Sequence, residues 1–163
     1  MKKLFLTLAL AFGMFAANAQ VWLGGSAKAD IANGFTGFGI APEIGYSFDN
    51  VPLTLACAAD FNFAKVQNVE GVWNLTLTPY VRYTVAKIEK FSFALDAMAE
   101  IGVKDVKGFK AGIRPIVAWQ ATERWTAAFT VGFLGYDNMD IEEGHFTLDF
   151  QTAAPRFGLY YNF

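Results

Sequence analysis

The sequence predicts an all-β chain: an eight-stranded antiparallel up-and-down transmembrane β-barrel. Three observations predict it. Segments of about ten residues alternate strictly between apolar and small or polar side chains. A proline followed by an aromatic recurs at intervals of roughly 36 to 40 residues, the length of a hairpin. The chain is 54% hydrophobic, yet no apolar run reaches the about 20 residues of a helical span.

Val21 to Ala27 supplies the first strand. In the second, Phe38, Ile40, Pro42, Ile44, Tyr46 and Phe48 oppose Gly39, Ala41, Glu43, Gly45 and Ser47. The third sets Leu53, Leu55, Cys57, Ala59, Phe61 and Phe63 against Thr54, Ala56, Ala58, Asp60 and Asn62. The fourth, Leu75 to Val85, and the fifth, Phe91 to Ile101, repeat the split, with Thr76, Thr78, Tyr80, Arg82, Asp96 and Glu100 on their polar faces. Phe109 to Trp119 and Trp125 to Tyr136 follow, and Arg156 to Phe163 belongs to the eighth strand. Within that last strand Phe146, Leu148 and Phe150 have the opposite parity to Phe157, Leu159 and Tyr161, so a bulge or break near Thr152 to Pro155 is required if all face one side. Ile116 is an isolated apolar residue on a polar face.

Pro42, Pro79, Pro115 and Pro155 mark four hairpins, each followed by Tyr46, Tyr83, Trp119 or Tyr161. Short turns are expected at Asp49 to Pro52, Ala86 to Lys90 and Gln120 to Arg124, and longer loops at Lys28 to Thr36, Ala64 to Trp73, Lys104 to Gly108 and Asp137 to His145. Tyr46, Phe48, Tyr83, Phe91, Trp119, Trp125, Tyr161 and Phe163 fall beside the short turns, as an interfacial girdle would. A soluble eight-stranded barrel turns its apolar face inward and a membrane barrel turns it outward. The apolar face carries the bulky side chains and the other is largely Gly, Ala, Ser and Thr, so the second arrangement suits a lumen only just wide enough for side chains.

Lys2 and Lys3, the apolar run Leu4 to Ala17 and then Ala17-Asn18-Ala19 read as a secretory signal peptide over residues 1–19, leaving 20–163 as one barrel domain. Removing Lys2 and Lys3 from 13 basic residues while keeping all 15 acidic ones moves the formal charge from −2 to −4, which argues against a nucleic-acid partner. A single cysteine, Cys57, allows no internal disulfide.

The segments Pro42 to Tyr46 (P-E-I-G-Y), Thr78 to Tyr83 (T-P-Y-V-R-Y), Gly112 to Pro115 (G-I-R-P) and Phe157 to Phe163 (F-G-L-Y-Y-N-F) resemble the small outer-membrane barrel family that includes the OmpX-like and OmpA-barrel-like proteins. That resemblance covers nearly the whole mature length. It implies insertion in the outer membrane of a Gram-negative cell, with outer-membrane lipids and, during insertion, the barrel-assembly machinery as partners. It also implies that Gly158, Tyr161 and Phe163 form the C-terminal insertion signal. It implies no single activity.

The inward charges are the informative polar positions. Glu43, Asp60, Asp96 and Glu100 can be set against Arg82, Lys110, Arg114 and Arg156 as a structural interior ion network. Folding the hairpins places Arg82 nearly opposite Asp96 and Arg114 diagonal to both Asp96 and Glu100. The functional alternative is a charged permeation path or a catalytic carboxylate pair. His145-Phe146-Thr147 faintly resembles the His-x-Ser of outer-membrane lipid A deacylases, with Thr for Ser and only Asp149 downstream. Asp137, Asp140, Glu142 and Glu143 lack calcium-loop spacing, and the single Cys and His exclude a zinc-type cluster. The expectation is a closed, monomeric, non-enzymatic envelope barrel without cofactor, supporting envelope integrity or presenting surface loops. A small pore or ligand-transport channel is the alternative, and a lipid-modifying enzyme is a third.

Overall fold

The computed structural model describes residues 20–32, 35–66, 70–139, 144–149 and 156–163; the predicted signal peptide lies outside them. The segments are β1 (Gln20–Ala32), β2 (Phe35–Ser47), β3 (Leu53–Val66), β4 (Val72–Ile88), β5 (Phe91–Lys104), β6 (Phe109–Gln120), β7 (Trp125–Thr130), β8 (Phe133–Asp137), β9 (His145–Asp149) and β10 (Arg156–Asn162). Neighbours pair antiparallel, and the ring closes through β1 with β10 and β5 with β6. Both β7 and β8 lie along β6, and β9 and β10 lie along that same pair, so ten segments make an eight-stranded closed barrel. No helix occurs among the described residues.

The strands outrun their sequence-based bounds at the loop end. Lys28 to Thr36 reads as a polar loop, but Lys28 pairs with Gly39, Ile31 with Thr36 and Ala32 with Phe35, so only positions 33–34 separate β1 from β2. Likewise Ala64 pairs with Val72 inside the stretch expected to be a loop. Hydrogen bonding across the hairpin extends pairing through residues whose side chains carry no strand signal, because the ladder is made by backbone groups alone.

Register irregularities set which side chains point inward. Along β6 the step from Ile116 to Ile113 is three positions, whereas its partners Thr130 and Leu134 are four apart. The extra residue sits at Val131-Gly132-Phe133, where Gly132 has φ 77 and the Val131 N–H donates to Pro115 O at 3.0 Å. This bulge reverses parity: Phe129 and Val131 face outward before it, Leu134 and Tyr136 after it, and Phe133 turns into the lumen, 4% exposed. The last strand does the same. From Thr130 to Phe133 is three positions, but from their partners Arg156 back to Asp149 is seven. Phe146, Leu148, Phe157 and Leu159 are all exposed, so the parity break read from the sequence is present; Phe150 and Thr152 to Pro155 lie outside the described residues.

Some large side chains point inward, contrary to the expectation of a lumen filled by small residues and charges. Trp22, Tyr80, Phe133 and Tyr160 are buried there with Met98 and Ile116. They fit because neighbouring strands offer glycine: a Cβ on Gly45 would overlap the Trp22 indole, and one on Gly24 would overlap the Tyr160 ring.

A two-residue turn joins Ile88 to Phe91 through Glu89 and Lys90, with Glu89 in the left-handed region at φ 52. A side chain with a Cβ costs about 1 to 2 kcal/mol there, and Asn tolerates it better. Glu89→Asn should therefore raise folding stability by about 0.5 to 1 kcal/mol, read as a higher urea midpoint in detergent or vesicles. An unchanged midpoint would show that the turn carries no such strain.

Candidate functional site

The lumen holds the chemistry. Asp96, fully buried, sits directly opposite both Arg82 on β4 and Arg114 on β6. Arg82 grips it with two hydrogen bonds, Nε to Oδ1 at 2.7 Å and Nη2 to Oδ2 at 3.0 Å, and Arg114 Nη2 donates to Oδ2 at 3.1 Å. A bidentate guanidinium–carboxylate pair fixes geometry as well as energy. Both guanidiniums also flank the Tyr80 ring, at 5.3 and 5.4 Å from its centroid.

Tyr80 links this cluster to Glu43. Its hydroxyl donates to Glu43 Oε2 at 2.7 Å, Tyr160 donates to the same oxygen at 3.4 Å, and Ser26 Oγ donates to Oε1. Among the described residues no cation reaches Glu43 within ion-pair distance; three hydroxyls take that role. Their hydrogen bonds answer the desolvation cost of a carboxylate that is only 6% exposed. Trp22 packs edge-on to Tyr160 at 4.9 Å, so an aromatic layer crosses the mid-lumen.

Toward the loop end, Arg156 pairs with Asp60, which also accepts from Thr78 Oγ1 at 2.8 Å. Glu100 stands opposite Lys110 in register but accepts from Thr76 Oγ1 at 2.9 Å. Lys110 Nζ turns instead to Asp137 at 3.2 Å, over the face of Phe133. Lys28 lies opposite Arg156. From mid-lumen to the loop end, the inward cations Lys28, Arg82, Lys110, Arg114 and Arg156 are thus matched by the inward carboxylates Glu43, Asp60, Asp96, Glu100 and Asp137 among the described side chains.

The diagonal contact expected between Arg114 and Glu100 does not form among the described residues. Asp96 and Glu100 are four positions apart on one strand, about 13 Å, and Arg114 is directly opposite the first. Asp137, Tyr80, Tyr160, Ser26, Thr76 and Thr78 also belong to the networks, beyond the eight charges that the sequence assigns to them. Tyr80 and Tyr160 carry a signal, being bulky residues on an otherwise small-residue face. Asp137 carries none, because the bulge before it resets its parity.

Gly158 faces the lumen, whereas Tyr161 stacks between Trp125 and Phe163 at 5.1 Å from each, outside the barrel, and accepts from Arg124 Nη1 at 3.1 Å. His145 is exposed, and among the described residues no hydrogen bond joins it to Thr147, whose Oγ1 is buried without a partner. A hydroxyl nucleophile needs that bond to its base. The side chain of Asp149 lies outside the described set, as do Asp140, Glu142 and Glu143. No group of three His, Cys, Asp or Glu converges into a metal-ligating cluster among the described residues. No protein-family model matches the chain, and no curated protein sequence matches it.

Asp96→Ala strands two guanidiniums in the lumen and should cost about 3 to 5 kcal/mol, more than the double variant Asp96→Ala with Arg82→Ala. Reversible urea unfolding of all four corners of the cycle measures the coupling. Additive effects would show that positions 82 and 96 act independently, as they would in a water-filled path.

Proposed function

We propose that this protein is a closed, monomeric, non-enzymatic barrel of a Gram-negative outer membrane, OmpX-like or OmpA-barrel-like in build, that supports envelope integrity or presents its loops at the cell surface. The observation that carries the reading is inverted polarity. Leu55, Leu77, Val81, Leu95, Ile113, Leu134 and Leu159 all stand exposed on the outer wall, while Asp60, Asp96, Thr76 and Thr78 are the largest fully buried side chains among the described residues. Water outside such a wall would leave the hydrophobic contribution of each strand unclaimed; hydrocarbon reverses the sign.

The aromatic residues support it quantitatively. At the loop end Phe38, Phe63 and Trp73 stack within 5.1 to 5.4 Å of one another. At the turn end lie the Tyr46–Phe48 pair and the Trp125–Tyr161–Phe163 row. On β4, exposed Trp73 and Tyr83 are ten positions apart, about 33 Å along the strand or about 25 Å along the axis at a tilt near 40°. That matches the height of the apolar band of an outer-membrane barrel, about 25 Å.

Under this reading residues 1–19 direct export, outer-membrane lipids surround the wall, and the barrel-assembly machinery recognises the last strand through Gly158, Tyr161 and Phe163. The closed state is favoured over a pore by the layer of Trp22, Tyr80 and Tyr160 at mid-height and by the matched charges from there to the loop end. Against a lipid-modifying enzyme stands His145, exposed and not hydrogen-bonded to Thr147.

Leu77→Arg and Leu95→Arg should each cost about 2 to 4 kcal/mol of folding free energy in vesicles, the penalty of a lipid-facing arginine near the midplane. Spin labels at those positions should be relaxed by oxygen and shielded from a water-soluble quencher; the opposite accessibility would overturn the membrane reading. In planar bilayers the reconstituted chain should give no discrete conductance steps. Regular single-channel openings would establish a pore instead.

A further inference from the structure

We propose that the turn-side mouth of the lumen is a binding site for a small anionic solute, one whose carboxylate or phosphate group sits among hydrogen-bonding groups. A cavity of about 470 Å³ opens there, lined among others by Thr84, Lys87, Lys90, Gln120, Arg124 and Thr126. Three of these are cations, and the lining also holds Glu123 and the terminal residue Phe163 with its α-carboxylate. Lys87 and Lys90 are exposed and make no ion pair among the described residues, so both ammonium groups are free to meet a ligand.

A deviation in the strand places one of them. Thr84 pairs with Ala94 but Ala86 pairs with Phe93, so Val85 is an extra residue in β4. Without it Lys87 would share the outward parity of Tyr83. With it Lys87 stands opposite Ser92, inside the mouth, and Ile88 takes the outward place. Bulges beside functional sites re-aim side chains in this way.

The other walls are held by their own contacts. The Gln120 N–H donates to Lys90 O at 2.8 Å, tying the Glu89–Lys90 turn to the end of β6. Arg124 O accepts from the Asn162 N–H at 2.8 Å and from Asn162 Nδ2 at 3.2 Å, while its guanidinium is held by the Tyr161 hydroxyl. Behind the mouth Ala94, Ala118 and Ala128 are buried in the packed lumen, and beyond them two guanidiniums share the single carboxylate of Asp96, with Arg114 Nε unpartnered. Three rim cations against the carboxylates of Glu123 and the terminal Phe163 leave a concave site of net positive charge, the condition that concentrates anions.

The site is internal to the barrel, so the proposal stands apart from the membrane reading. The full chain, folded in uncharged detergent micelles at low ionic strength, is titrated with citrate as the carboxylate probe and glycerol 3-phosphate as the phosphate probe. Glycerol and sodium chloride at matched ionic strength serve as controls, and the readout is the amide resonances of Thr84, Ser92, Gln120 and Thr126. Saturable shifts at these residues with either anion are expected, the stronger probe naming the group the site prefers. Lys87→Gln should weaken that binding about tenfold, the loss of one charge-assisted hydrogen bond. Lys90→Gln should weaken it too, while Lys65→Gln at the loop end should leave it unchanged. Shifts absent with both probes, equal shifts with chloride, or full affinity in both Lys87→Gln and Lys90→Gln would overturn the proposal.

Discussion

Closure of eight strands into a ring is the constraint on which the rest depends. Closure removes the free edges where the ring is complete, so backbone pairing continues from β1 round to β10 and back over Trp22 to Lys28. It also encloses a lumen that side chains must fill, since eight strands leave little more than their width. Every inward residue therefore meets residues from several strands, and the composition of that face becomes a packing problem. Glycine at positions 45 and 24 opposite Trp22 and Tyr160 is one solution, and the Val131-Gly132-Phe133 bulge that swings Phe133 inward is another.

Filling a narrow lumen with charge is tolerable only when each charge is answered. Two forms of answer coexist here. Asp96 is held by two arginines, whereas Glu43 is held by three hydroxyls and, among the described residues, no cation. Tyr80 spans both, offering its ring to the guanidiniums and its hydroxyl to Glu43, so neither cluster relaxes alone. Such a connected network is stable when complete and costly when one member is lost. That coupling is the physical basis for reading the mid-lumen as a plug, and the emptier turn-side mouth beyond it as the part free to hold a ligand.

Much of the fold was legible in the sequence, because period-two alternation is a local property and each strand announces its own faces. The parity conflict in the last strand was legible for the same reason: Leu148 and Leu159 are both bulky, of opposite parity, and both exposed. The candidate site was legible in part. Asp96 with Arg82 follows from folding one hairpin about its turn, a short-range operation. Arg156 with Asp60 joins β10 to β3 across the ring, and Lys110 with Asp137 depends on a bulge that resets parity.

By itself, then, the sequence determined the class of fold, the number of strands and which face of most strands is apolar, since these follow from side-chain spacing within about ten residues. Only the tertiary structure decided the rest: the extra residues at Val85 and near Gly132, the partner each charge takes, and the side of the wall on which Lys87 and Phe133 emerge. Those outcomes depend on the stagger between neighbouring strands and on what the far wall of the lumen presents. Both are set by closure, a relation among residues distant in the chain that no local pattern encodes.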